Sequence, residues 1–297
     1  VYGSNVNSRL EIKTNNDKIM KTNKFFMLAV AGLALTACSF DDTLNKLDYD
    51  DPSEIRISAT MSDMTITRGT STTLQATSLE SGSTPAIYIC KDGKTTTDNG
   101  YFYQNLSATV GSPLGTGTTT LYFPQDKTNV DVYVYAPKST TDLTNVNANI
   151  THTVSSSQGN ATGYLASDFV WGKADLEYSS NATNVNVTLS HKLSKIIFHI
   201  QDANGQQVQD IRSVTLAGVY DKVDINMSTG ALTANISSTT TVTFLDTSTS
   251  GNDGYINGTA GTNVDVAAIL PPQDIQNKAL TINIRSEEHT SELQSLA

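Results

Sequence analysis

The chain has 297 residues and a formal net charge of −10, with 38% hydrophobic and 7% aromatic residues. Residues 1–37 carry a net +3 and residues 285–297 a net −2, which leaves −11 on the rest. So acidic a body excludes a nucleic-acid binder, whose ligand's phosphates demand a basic patch, and it excludes purely electrostatic attachment to anionic lipid.

Residues 1–19 precede a methionine, are polar and carry no apolar period. They are set aside as translated upstream sequence. From Met20 the pattern is that of an export signal: Lys21 and Lys24 form a basic start, and residues 25–37 an apolar run ending in small side chains. That run is shorter than the roughly 20 residues a membrane-spanning helix needs. Leu35-Thr36-Ala37-Cys38 resembles the lipobox of bacterial lipoproteins. The resemblance implies a signal peptide over residues 20–37 and a Cys38 thiol that takes a diacylglyceryl group and becomes the new N-terminus. The residue types suit this: small side chains admit a peptidase, and a thiol is the nucleophile that receives the lipid. Each buried methylene contributes about 0.8 kcal/mol, so two or more acyl chains anchor stably to the outer membrane. The alternative is an ordinary signal with an incidental cysteine. Once Cys38 is lipidated only Cys90 remains, and one thiol makes no internal disulfide. It follows Ile87-Tyr88-Ile89 and reads as a small core hydrophobe.

Residues 38–53 hold Asp41, Asp42, Asp48, Asp50 and Asp51 and few apolar side chains, an acidic tether. It is either a spacer or, by resemblance, the acidic signal that sends Bacteroidetes lipoproteins to the outer face of the outer membrane. From Glu54 the pattern is β throughout. Residues 55–59 and 64–68 alternate apolar and polar, and further strands are expected at 86–90, 100–103, 119–123 and 130–136. In the last, Val130, Val132 and Val134 share one face, and Asp131, Tyr133 and Tyr135 the other. Pro124 and Pro137 close their strands, because proline cannot donate to a ladder. Residues 139–162 are polar, a loop or weak edge strands. A break at residues 179–183 separates two patterned regions.

Beyond it Val185, Val187 and Leu189 alternate, and residues 196–200 form an apolar run suited to a strand buried on both faces. Asp202-Ala203-Asn204-Gly205 is a turn. Strands are expected at 214–216, 223–227, 231–236, 242–244, 264–270 and 280–282, with no amphipathic helix anywhere. Short strands at this spacing imply an all-β protein of two β-sandwich domains, residues 54–180 and 181–284. Residues 285–295 match the in-frame translation of a common sequencing adapter. Residues 285–297 are therefore expected to be a library artefact, leaving the second sandwich truncated near Ile284.

Asp168-Phe169-Val170-Trp171-Gly172-Lys173-Ala174 is followed by Val185-Asn186-Val187-Thr188-Leu189-Ser190-His191-Lys192-Leu193-Ser194-Lys195-Ile196. With Leu121-Tyr122-Phe123-Pro124, Val132-Tyr133-Val134-Tyr135-Ala136-Pro137 and Ala268-Ile269-Leu270-Pro271-Pro272-Gln273, this ordered set resembles the fimbrillin family of Bacteroidetes, lipoprotein-derived pilus subunits. The resemblance implies two tandem Greek-key, transthyretin-like sandwiches and a surface-exposed fimbrial subunit or pilus-accessory adhesin. It also implies partners: other pilin subunits, a donor strand among them, and a host or bacterial surface receptor. In such pilins a protease cuts after an arginine and removes the first strand, and a neighbour's strand fills the groove. Between Cys38 and Arg212 the arginines are Arg56 and Arg68. Arg68 precedes a Gly-Thr-Ser-Thr-Thr stretch suited to an exposed loop and is the preferred processing site, Arg56 the other candidate; an uncut strand end is the plain alternative.

No pattern for catalysis, metal or cofactor stands out. His152, His191 and His199 have no cysteines or carboxylates near them at ligand spacing, and structural roles are expected. Trp171, the one tryptophan, is expected to anchor the seam between domains rather than stack on a sugar. Asp202 and Asn204 lack the remaining ligands of a calcium loop. The rival class is a non-polymerising surface lipoprotein that binds glycans through its sandwiches.

Overall fold

Strand β5 (Val130–Ala136) shows how the alternation works out. All seven of its residues are buried, because each face of the strand meets a different core. Val130, Val132 and Val134 enter one apolar cluster, and Tyr133 and Tyr135 enter another. The computed structural model describes residues 53–62, 78–93, 101–202, 204, 210–247 and 264–284. The strand expected at residues 64–68 lies outside them.

Among the described residues the protein is nearly all β. The first sheet runs β3 (Tyr101–Ser107), β2 (Ala86–Lys91), β5, β7 (Val170–Leu176), β8 (Thr183–His191), β1 (Glu54–Met61) and β4 (Leu121–Tyr122). Neighbours are antiparallel except β1 and β8, which run parallel. One face curls around a single core that takes Ile57 from β1, Ile89 from β2, Val132 from β5 and Val187 from β8. The first sheet and its core run on through β8, with Val185, Val187 and Leu189 in that core. The next strand, residues 194–200, pairs in a different sheet, with residues 264–270.

The back of the first sheet packs on β6 (Asn149–Thr153) and β10 (Ile211–Asn226), which pair with each other. Their shared core holds Tyr88, Tyr135, Phe169, Ile150, Ile225 and Met227. A third core lies between the β10–β11 hairpin, with β11 at Leu232–Asp246, and the pair formed by β9 (Ser194–Ile200) and β12 (Val264–Leu270). Strand β13 (Ala279–Ile284) lies beside β10. All described residues fall in one compact unit, residues 50–297.

Three expectations change. The segments at 214–216 and 223–227 are one continuous strand, β10, kept in pairing with β11 by three register shifts. Residues 196–200 are not buried on both faces. Among the described residues β9 pairs only with β12, so Ile196, Phe198 and Ile200 pack inward while His199 is exposed. The polar stretch at 139–162 holds a strand, β6, one of the two forms expected there, but it is followed by a short helix, α1 (Ala161–Ser167), where no helix is expected. Asn160 caps α1 by accepting from Gly163 N at 2.8 Å, a cap signal too brief to show as periodicity over seven residues.

Candidate functional site: the seat of the first strand

Strand β1 alternates as its sequence dictates. Ile55, Ile57 and Met61 are buried, while Arg56 and Thr60 are exposed. Filling a core position with such a side chain contributes about 1.5–3 kcal/mol, so β1 is a tightly seated element. Its parallel partner β8 matches it residue for residue, from Ile55 opposite Thr183 to Met61 opposite Leu189. The opposite edge is antiparallel to β4 at Glu54–Tyr122 and Ile55–Leu121. Leu114 N donates to Ile57 O at 2.7 Å and Phe123 N to Ser53 O at 3.0 Å. Lifted out, β1 would leave a groove floored by Leu121, Val185, Val187 and Leu189 and one β8 edge without a partner.

Arg56 lies mid-strand, opposite Asn184, and its guanidinium donates to Glu54 at 2.7 Å. That hydrogen bond, with the nearby positive charge, holds the Glu54 carboxyl below its ordinary value. A protease reads extended, freely accessible backbone; a residue inside a two-sided ladder does not offer it. Arg68 and the lipobox residues Leu35, Thr36, Ala37 and Cys38 lie outside the described residues.

The remaining sequence candidates lie elsewhere in the fold. Cys90 is fully buried, and burial, with the Asp131 charge adding to it, pushes its thiol up to about 12, which removes thiolate reactivity at neutral pH. His152 contacts Ser167 O at 3.0 Å, and its ring tilts against Phe169. His191 Nδ1 lies 2.8 Å from Asp168 Oδ1, and His199 Nδ1 lies 2.6 Å from Asp265 Oδ1. Among the described residues no three His, Cys, Asp or Glu side chains gather as a metal site. Asn204 N donates to Asp202 at 2.8 Å, the turn expected there. Trp171 ties the first sheet to the second: its Nε1 donates to Met227 O at 2.9 Å, and Lys192 sits over its ring.

One polar cluster escaped the sequence. Register places Asp131 of β5 opposite Asp175 of β7, and Lys173 reaches both, at 3.2 and 2.7 Å. Burial raises Asp131, while the hydrogen bond from Lys173 lowers Asp175. Only cross-strand pairing could have revealed it, since the sequence separates the two carboxylates by 44 positions.

The comparisons with known proteins agree with this architecture. A candidate cell-adhesion protein of Bacteroides ovatus ATCC 8483 has a solved structure with TM-score 0.52 and 19% identity, covering 79% of this chain and 84% of its own. One of Bacteroides uniformis ATCC 8492 gives TM-score 0.50 and 18% identity over 78% and 79%. At such identities the likeness is one of fold. No curated protein sequence matches the chain. The profile of the family described as Fimbrillin-like matches residues 59–295, most of the sequence, and the chain therefore belongs to the fimbrillin-like family.

Proposed function

We propose that this is an exported, lipid-anchored fimbrial subunit or pilus-accessory adhesin that assembles by strand exchange. The acyl chains on Cys38 hold it at the outer membrane with its body exposed on the cell surface. Two sandwiches in tandem form that body. A cut after Arg68 frees the N-terminal segment, and an apolar, alternating strand of another subunit takes the place of β1. The protein performs no catalysis and needs no cofactor; its partners are other pilin subunits and a surface receptor.

The observation that carries this reading is the seat of β1. The first described strand is clipped between β8 and β4 in a ladder that any extended chain can rebuild, while three alternating apolar side chains fill the core. Backbone hydrogen bonds supply affinity in such an exchange, and alternate pockets supply selectivity. Arg56 sits inside that ladder, which favours Arg68 as the processing site.

The test treats the full chain with an arginine-specific protease and then adds a fluorescent peptide of residues 53–62. One cut after Arg68, abolished in Arg68→Ala, followed by peptide capture that the uncut protein lacks, is the expected result. Cleavage elsewhere, or a cut protein that never takes up peptide, would remove the proposal.

A further inference from the structure

We infer that β1 leaves its seat from the Met61 end and unzips toward Glu54, with the loop around Leu114 as the latch that opens last. This rests on the proposal that β1 is the exchanged strand, and it adds the order of events and the point of entry.

The two halves of β1 are held differently. Ser53, Glu54, Ile55 and Ile57 are held on one edge by Phe123, Tyr122, Leu121 and Leu114, and from Ile55 onward the strand is also paired with β8, so Ile55 and Ile57 are bonded on both edges. Leu114 belongs to a loop closed by reciprocal bonds between Thr109 and Gly115, at 2.7 and 3.0 Å. Its side chain is buried in the first core, so the latch is rigid. Ser112 Oγ, on the same loop, approaches Ser58 Oγ at 3.4 Å. Beyond Ser58 the one backbone partner of the strand among the described residues is β8. Ala59 pairs with Val187 and Met61 with Leu189, and Ser62 N donates to Leu189 O at 2.7 Å.

A strand opens where fewest bonds break per residue. Buried backbone groups also tolerate no interval without a partner. An incoming strand satisfies both conditions by adding to β8 at Leu189 and advancing as β1 retreats. Each bond lost is replaced at once. The partner this entry fits is an extended segment with apolar side chains at alternate positions and no proline at ladder positions.

Two measurements decide the order. In the uncut full chain, hydrogen exchange at Thr60 and Ser62 should run at least ~10-fold faster than at Arg56 and Ser58, since the singly bonded half opens on its own. In the cut protein, release of β1 is followed while unlabelled peptide of residues 53–62 competes. Met61→Ala should speed release at least ~10-fold, because its contacts are already lost at the barrier. Ile55→Ala should weaken binding yet leave the release rate nearly unchanged, because its contacts persist there. An even or reversed exchange gradient, or equal acceleration by Ile55→Ala, would overturn the inference. A cut protein that captures no peptide defeats the assembly proposal alone; the gradient in the uncut chain still decides how β1 opens.

Discussion

At Gly172 the first sheet leaves no room for a side chain. A Cβ there would lie 2.3 Å from Thr188 O and within 3.0 Å of Val187 and Leu189 side-chain atoms. Those three residues belong to β8, the strand on which β1 sits. Gly172→Ala should cost about 2–3 kcal/mol, read as a lower urea midpoint, with weaker retention of β1. His152 makes a prediction about pH. Burial lowers its pKa below 6.5, against the opposing pull of Ser167 O and the Asp168 charge. The unfolded chain therefore binds the proton more readily, and the stability this neutral ring supports is lost as pH falls through 6.5. Urea titrations at pH 7.5 and 5.5 should show that loss, and His152→Gln should flatten it. Neither constraint can be read from neighbours in sequence, because both come from residues brought across a sheet.

Among the elements, a glutamine does the work of a missing strand. Gln158 Nε2 donates to Ile269 O and its Oε1 accepts from Ile269 N, both at 2.8 Å. Its backbone N–H meanwhile reaches Thr243 O at 2.9 Å. It thus clips β11 to β12 across the third core. Gln158→Ala leaves the backbone groups of Ile269 without partners and should cost about 2–3 kcal/mol, with faster hydrogen exchange at Ile269 as its local signature. Gln273 repeats the device on β10, with both bonds to Tyr220 at 2.8 Å. Trp171 packs against the second core from the first sheet; Trp171→Phe keeps an aromatic ring and loses the bond to Met227, and should cost about 1 kcal/mol in the same urea assay. Strand positions were legible because alternation repeats every two residues. Helix α1 was not, because two turns give no period to read. The exposure of His199 was missed as well, since an edge strand and a central strand can share one composition.

At the scale of the whole molecule, the proposed fimbrial subunit joins an anchor to an exchangeable strand. Replacing Cys38 by serine should abolish fatty-acid labelling and move the protein from the membrane fraction to the soluble one, with the urea midpoint of the body unchanged. Retention in the membrane fraction would remove the anchor from the account. No described helix is long and apolar enough to cross a membrane. The all-β class, the two faces of β5 and the family were legible from local pattern and ordered motifs, because side-chain chemistry writes each of them into short stretches. Which strand lies beside which was not. β1 pairs in parallel with a strand more than 120 positions later, and β6 crosses to β10. Backbone donors and acceptors are the same at nearly every residue, so a ladder carries no address of its own. Only the packing of three cores selects the partner of each edge, and that selection leaves β1 bound on two sides at Ile55 and Ile57 and, among the described residues, paired with β8 alone from Ala59 to Met61.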